Sequence, residues 1–521
     1  MRLADTIFLG WAQPHAHRPY HPLGGSGAGT LPCAVPLFLP HDVLNGHVYI
    51  SGGTQSGKSS AGMASLLMQV LAGTHIPVKA ADGRVVVGLD GLPLEQRATN
   101  ALVLILDMKG DLAGKNLVEE RCRELGLPFH FFACEPGADS SYFNPLTHLQ
   151  LNDADALSLA DSLLASSGLF WGSGYGRTFF AAMNRLLLLH VFQAGGPHPK
   201  SYREIVERIM TMFDPDRHRA AMEVVATLSA LAAYPLLQPA PPGGDEIRFE
   251  SLLGTGGVVY AWLPLSATAF IPRDVCRLLL FSFVNTVRRF NLWNPARARR
   301  AYVFIDEAQV LAGMNIETLF TQASSCGTGV ILANQSPSDL NSHENPRLWS
   351  TVETNTRLKI HFTAPTVDDR QRLLQLSRET LGYLVSQSWT TSSSTNANGD
   401  VTRSDSSTVT HHPQVHPAIN LNDLNWVNTT PRLAVVELAP DAPTTRLGGS
   451  PTFVYIPFAV SESEYNRLRL IPLKRKVASP VVSSVPPPLE STSTPALVAA
   501  NTYDALDAVY RQLTGRSVTA A

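Results

Sequence analysis

The segment Gly52-Gly53-Thr54-Gln55-Ser56-Gly57-Lys58-Ser59 satisfies the phosphate-binding pattern G-x-x-x-x-G-K-[ST] at every fixed position. It constrains the fold because such a loop works only between a strand and a helix. The flanks comply. His47-Val48-Tyr49-Ile50 is a short apolar strand leading in, and Ser60 to Ala72 is a helical run leading out, closed by Gly73. Glycines let the backbone curl until successive N–H groups face a phosphate, and the helix N-terminus adds partial positive charge. The expected cradle is Gly52, Gly53, Thr54, Gln55, Ser56, Gly57, Lys58, Ser59 and Ser60. Lys58 is expected to reach the β- and γ-phosphates of ATP, and the Ser59 hydroxyl to bind Mg²⁺. A glycine-rich loop with an accidental lysine is the bland alternative, and the flanking strand and helix count against it.

The chain has 521 residues, more than one small core needs, and at roughly 150 residues per domain about three units are expected. Hydrophobic residues make up 44% and charged residues 16%, an ordinary globular balance. A net charge of −2 excludes a globally basic nucleic-acid binder, so any basic channel is local or formed by several copies. The cysteines Cys33, Cys122, Cys134, Cys276 and Cys326 are odd in number and scattered without a C-x-x-C. That argues against a disulfide framework or a zinc site and suits a reducing compartment. The strongest apolar run, Phe179 to Phe192, is too short for a membrane span and contains Asn184 and Arg185. With no signal-peptide pattern at the N-terminus, the expected location is the cytoplasm, or the inner face of a membrane through a partner.

Residues 1–46 are rich in Gly, Pro and His and read as an arm wrapping a domain. His15, His17 and His21 fit an irregular surface segment better than a metal site. Ala101 to Leu106 is a continuous apolar run, as a strand buried on both faces of a parallel sheet would be. A helical stretch ending at Leu125-Gly126 and a strand at Phe129 to Ala133 continue the strand–helix–strand rhythm of parallel crossovers. Residues 150–244 then carry helical spacing at Asp153 to Ser166, Thr178 to Val191, Tyr202 to Met212 and Ala220 to Ala233, and read as an inserted all-α domain. Strand signals resume at Val258 to Leu263, Ala301 to Ile305, Gly329 to Ala333, Leu358 to Phe362 and Leu433 to Leu438, with a helix at Asp274 to Phe290. The fold class is α/β with a mainly parallel sheet, its nucleotide-binding domain split into residues 47–149 and 245–472. The Ser/Thr-rich stretch Ser386 to Thr410 is either a disordered loop or a long polar hairpin; the Asn398-Gly399 turn signal favours the hairpin. Residues 473–521 hold a Pro/Ser-rich linker and the apolar-spaced Tyr503 to Leu513, a helix that docks a partner or packs on its own domain.

Hydrolysis needs carboxylates beside the phosphate cradle. Tyr302 to Ile305 is an apolar strand that presents Asp306 and Glu307 at its C-terminal edge, where ligands of such sheets bind. Asp306 is expected to hold Mg²⁺ through water, and Glu307 to orient and deprotonate the attacking water. Gln335 ends the next strand, where an amide is placed to sense the γ-phosphate. The catalytic set is therefore Lys58, Glu307 and Gln335, with Ser59 and Asp306 on the metal.

These residues resemble the coupling ATPases of conjugation and type IV secretion, the TraG/TraD-like branch of the FtsK/HerA superfamily. Asp107-Met108-Lys109-Gly110-Asp111 is similar to the family's D-P-K-G-[DE] segment, with Met108 in place of Pro. Ser141-Tyr142-Phe143-Asn144-Pro145-Leu146 resembles S-x-x-F-N-P-L, one residue shorter. Trp171 and the helix around Ala181 resemble its all-α domain, Phe304-Ile305-Asp306-Glu307-Ala308 matches F-I-D-E-A, and Ala333-Asn334-Gln335-Ser336 matches its sensor segment. The resemblance implies a RecA-like core, a homo-hexameric ring with DNA in its channel, and ATP-driven movement toward a secretion channel, with secretion-channel or relaxosome proteins as partners. Family members usually carry an N-terminal membrane anchor; none is expected here, which leaves either a separate membrane partner or work away from a channel. Where the family places a trans-acting arginine, this chain has Ser324. Arg357 is the best substitute, and a buried structural arginine is the competing reading there. Arg403 and Lys109 are candidate DNA contacts, each also readable as an ordinary solvated charge. Two other functions remain open: a HerA-like repair or defence motor, and a weakly hydrolysing nucleotide-binding adaptor that docks substrate proteins.

Overall fold

The computed structural model describes residues 6–13, 35–73, 75–77, 95–97, 101–135, 137–146, 153–166, 169, 177–194, 198–212, 215–264, 270–294, 299–311, 317, 320–341, 345–364, 366–377, 379–395, 397–399, 401–417, 419–439 and 451–476. The strands are β1 (Thr6–Gln13), β2 (Val35–Pro40), β3 (Val48–Ser51), β4 (His75–Pro77), β5 (Glu95–Arg97), β6 (Leu102–Asp107), β7 (Phe129–Ala133), β8 (Gly257–Trp262), β9 (Ala301–Asp306), β10 (Thr328–Asn334), β11 (Leu358–His361), β12 (Glu379–Thr395), β13 (Val401–Pro417), β14 (Leu433–Leu438) and β15 (Thr452–Tyr455). The helices are α1 (Ala64–Ala72), α2 (Leu112–Leu125), α3 (Asp153–Ser166), α4 (Arg177–Gln193), α5 (Tyr202–Met212), α6 (Pro215–Ala232), α7 (Phe249–Thr255), α8 (Phe270–Trp293), α9 (Leu348–Asn355), α10 (Val367–Leu376), α11 (Leu421–Thr429) and α12 (Glu462–Arg469).

Eleven strands form one sheet in the order β2-β1-β15-β14-β11-β3-β10-β9-β6-β8-β7. From β11 to β7 every neighbouring pair is parallel, so all those strands end at one edge. From β11 through β14, β15 and β1 to β2 the pairing is antiparallel. The parallel strands read as unbroken apolar runs because both faces are covered. Leu102, Leu104 and Leu106 share a core with α3 through α8, while Val103 and Ile105 share the opposite core with α1 and α2. The four helices from Asp153 to Ala232 pack chiefly on one another, and their apolar faces run on through α3 and α8 into the cluster on that sheet face.

Residues 1–46 are not simply an arm. β1 pairs with β15 and β2 with β1, so the N-terminal segment extends the sheet. The alternation that buries Ile7 and Leu9 is short and set among Gly and Pro, which concealed it in the sequence. His15, His17, His21, Trp171 and Tyr503 to Leu513 lie outside the described residues. His47 is not part of β3: it has φ 63, ends the short helical turn His41–Gly46, and is buried. Its Nε2–H donates to Phe320 O while its Nδ1 accepts from Val330 N–H. Burial holds that imidazole neutral, with its pKa lowered to about 4.

The middle of the sheet is pinned by a buried polar chain. Ser51 Oγ lies 2.7 Å from His361 Nδ1, and His361 Nε2 lies 3.1 Å from Glu437. Arg372 donates two hydrogen bonds to the same carboxylate. Burial alone would raise Glu437, but the His361 hydrogen bond and the charges of His361, Arg372 and Lys359 hold its pKa at about 2. The serine–histidine–carboxylate order is a sheet clamp and not a nucleophile, since Ser51 and His361 are both buried away from any substrate.

The stretch Ser386 to Thr410 is a hairpin, longer than its composition indicated, with β12 and β13 paired from Glu379↔Pro417 to Thr395↔Val401. Every side chain from Ser386 to Thr395 and from Val401 to Thr410 is exposed. The period of two sorts them: Ser386, Ser388, Thr390, Ser392 and Ser394 share a face with Thr402, Ser404, Ser406, Thr408 and Thr410, while Trp389, Val401 and Val409 lie on the other. An exposed ribbon contributes little to the stability of the body. Deleting 386–395 and 401–410 while keeping the Asn398-Gly399 turn should leave the thermal midpoint within about 2 °C of the parent. A larger drop in a melting experiment would show that the ribbon packs on the body.

Candidate active site

The phosphate loop follows β3 at the edge where the parallel strands end. Gln55 (φ 64) and Gly57 (φ 100) take left-handed backbone angles, which curls the loop. A Cβ on Gly52 would sit 2.4 Å from Ser56 Oγ and 2.9 Å from Phe362 Cβ, so that close approach requires glycine. Gly52 N–H donates to Asn334 O and Gly53 N–H to Thr363 Oγ1 at 2.8 Å, fixing the loop to the two neighbouring strands. The helix begins with a wide turn over Lys58–Met63, in which Gly62 N–H reaches back to Gly57 O, before regular α1.

Asp306 and Glu307 arrive from β9 at the same edge. Lys58 is 5% exposed, and its ammonium lies 3.2 Å from Glu307 Oε1 and 3.8 Å from Asp306 Oδ1. Ser59 Oγ donates to Asp306 Oδ2 at 2.8 Å. Burial pushes Asp306 up, with the Lys58 charge and the Ser59 hydrogen bond pulling against it. Burial also acts to raise Glu307, but Gln309 Nε2–H and Lys58 outweigh it and hold Glu307 below the ordinary carboxylate value. Glu307 has φ 58, a left-handed angle that costs a non-glycine residue of order 1–3 kcal/mol and aims its side chain back at Lys58. Gln335 follows β10 and lines the same cleft, of about 1160 Å³, as Lys58, Ser59 and Glu307.

One strand further on, Asp107 is level with Asp306 in the β6–β9 register. It accepts hydrogen bonds from Lys109 N–H, Gly110 N–H, Asp111 N–H and Tyr260 O–H. This anchored turn carries Lys109 into the cleft, where its charge lowers both Asp306 and Glu307. Lys109 thus sits with the phosphate machinery. Arg403 is exposed on the hairpin. Ser324 is exposed in the turn preceding β10, and Arg357 precedes β11, so both lie at the sheet edge opposite the phosphate loop. The Arg357 side chain packs over Gly46, where a Cβ would sit 2.2 Å from its Cδ.

The residues fit a triphosphate and its magnesium ion. The loop is shaped as an anion cradle, the buried Ser56 Oγ has no hydrogen-bond partner, and Lys58 is held toward the carboxylates. Mg²⁺ takes one or two carboxylates or hydroxyls plus phosphate oxygens and water, which is what Ser59 and Asp306 offer. Asp107 was read only as the start of a segment resembling D-P-K-G-[DE]; sequence reasoning missed Thr363 and Gln309 outright, and it missed the cleft's outer wall, built from Phe458, Val460, Glu462, Tyr465, Asn466 and Arg469. Only Gln309 had a local signal, two residues past Glu307.

No family model and no curated protein matches the chain. Solved structures do. The bacterial conjugative coupling protein TrwBdeltaN70 in its unbound monoclinic form is 16% identical, with a TM-score of 0.51 over 81% of this chain and 87% of that one. VirB4 of Thermoanaerobacter pseudethanolicus is 14% identical, with a TM-score of 0.47 over 88% of this chain and 97% of that one. At such identities the likeness concerns the fold, a RecA-like P-loop NTPase architecture.

Burial pushes Asp107 up to about 6, against the hydrogen bonds from Tyr260 and Gly110, while the unfolded chain titrates near 3.8. The folded state therefore holds this proton more tightly, and the associated stability is full below 3.8 and lost as pH rises through 6. Relative to Asp107→Asn, the parent protein should gain about 2 kcal/mol as pH falls from 7 to 4, read from urea unfolding midpoints. A difference constant with pH would show that Asp107 titrates normally.

Proposed function

We propose that this chain is an Mg-ATP-dependent motor that moves DNA as a ring of six copies, acting as a coupling ATPase of conjugation or type IV secretion. The observation that carries the reading is the joining of Lys58 to Glu307 and of Ser59 to Asp306, with Gln335 lining the same cleft. The phosphate-loop amides and Lys58 bind the triphosphate. Ser59 and Asp306 would hold the magnesium ion, which would supply positive charge against the phosphates. Glu307 is ionised, so it is ready to accept a proton from an attacking water. Gln335 senses the phosphate beside it. The coupling role follows the shared fold of TrwBdeltaN70, a conjugative coupling protein. Among the described residues no helix is long and apolar enough to cross a membrane.

A second reading, a weakly hydrolysing adaptor that docks substrate proteins, is favoured by one observation. The exposed turn before β10 carries Ser324 where the family places its trans-acting arginine. An arginine acting in trans is worth about 10³ to 10⁵ in rate.

ATP hydrolysis by the full chain, measured with and without DNA, separates the two. DNA should raise turnover at least severalfold, and Lys58→Ala should abolish it; turnover indifferent to DNA would overturn the motor reading in favour of the adaptor. Where the trans arginine is missing, Ser324→Arg should raise DNA-stimulated turnover by about tenfold or more. An unchanged rate in that variant would mean that another residue already supplies the charge.

A further inference from the structure

We infer that Phe458, backed by Arg432, is the stacking platform for the nucleobase. This rests on the nucleotide reading above and names the residue that holds the nucleoside end. The phosphate loop sets the ligand's direction. Its γ end faces Glu307 and Gln335, and the chain of phosphates runs past Lys58 and Ser59 toward Ser60. The nucleoside therefore leaves the loop on the Ser60 side. There, Ala459 N–H donates to Ser60 O at 3.5 Å, which sets the neighbouring Phe458 at that end of the cleft it helps line.

Phe458 is 40% exposed and belongs to none of the three apolar cores. An aromatic ring presented into a polar cleft serves a ligand better than it serves the fold. The Arg432 guanidinium lies 4.5 Å from its ring centroid and 4.7 Å from that of Tyr455. Among the described residues no carboxylate pairs with Arg432. Its φ of 69 is left-handed, and its carbonyl accepts from Ile456 N–H, so a strained backbone is held in place to set this guanidinium against the ring. The wall continuing from Phe458 is tied to α2 and the turn before it: Asn116 Nδ2 donates to Leu468 O and Ile471 O, and Tyr465 O–H donates to Asp111. Phe458 is held against Arg432, and Ala459 beside it bonds Ser60, by the chain's own contacts, which limits the ordering cost of binding.

Stacking one base on an aromatic side chain changes affinity by about 5- to 150-fold. Calorimetric titration of the full chain with a non-hydrolysable ATP analogue and, separately, with inorganic tripolyphosphate isolates that contribution, because only the first ligand has a base. Phe458→Ala should weaken the analogue within that range and leave tripolyphosphate unchanged, while Phe458→Trp should retain the analogue. Equal affinity of Phe458→Ala and parent for the analogue, or an equal loss for both ligands, would overturn the platform alone. A parent protein that binds neither ligand would overturn the nucleotide reading together with the platform.

Discussion

A buried ammonium between two carboxylates is the interaction on which the cleft depends. Lys58 would be costly to bury unpaired, and it is made tolerable by Asp306 and Glu307 arriving from a strand some 250 residues later (a sequence separation of 249 for the Lys58–Glu307 contact). The same pairing sets the chemistry. Held toward Glu307, the ammonium lies where β- and γ-phosphate oxygens come, and an incoming triphosphate exchanges one set of anionic oxygens for another. The cation thus remains matched in both states, which is the condition for keeping a charge buried.

That pairing is possible because of how the sheet is wound. Seven consecutive parallel strands deliver their C-terminal ends to one edge, so the phosphate loop, Asp107, Asp306 and Gln335 converge without any of them being near the others in sequence. The apolar alternation that divides Leu102, Leu104 and Leu106 from Val103 and Ile105 fixes register, because a slip of one residue would move every side chain to the wrong face. Register places Asp107 beside Asp306. Burial raises Asp107 first, and the Asp306 charge beside it adds a smaller push in the same direction.

What was legible in the sequence was what is local. The phosphate loop with its flanks, the Asp306-Glu307 strand end and the apolar parallel strands announce themselves within a dozen residues each. The hairpin was legible through Asn398-Gly399, though its reach to Glu379 and Pro417 was not, since mixed apolar and polar residues there carry no clean alternation. Contacts between distant segments left no trace. Tyr465 meets Asp111 across 354 positions, and Thr363 meets Gly53 across 310. The antiparallel extension was hidden for the same reason: β1 and β15 lie at opposite ends of the chain, and neither is long enough to declare its partner.

Charge places a further limit on how the ribbon is used. A surface that tracks a phosphate backbone needs an excess of Lys and Arg, because affinity comes from releasing the counterions those residues replace. Along 386–395 and 401–410 the only charged residues are Arg403 and Asp405, two positions apart on one face, and they cancel. Arg403 is therefore a poor candidate for a DNA contact, whatever its exposure. The ribbon's other face offers ten hydroxyls and no charge, chemistry that forms hydrogen bonds without electrostatic attraction. A long neutral ribbon adds reach or contact area and no electrostatic pull on a polyanion.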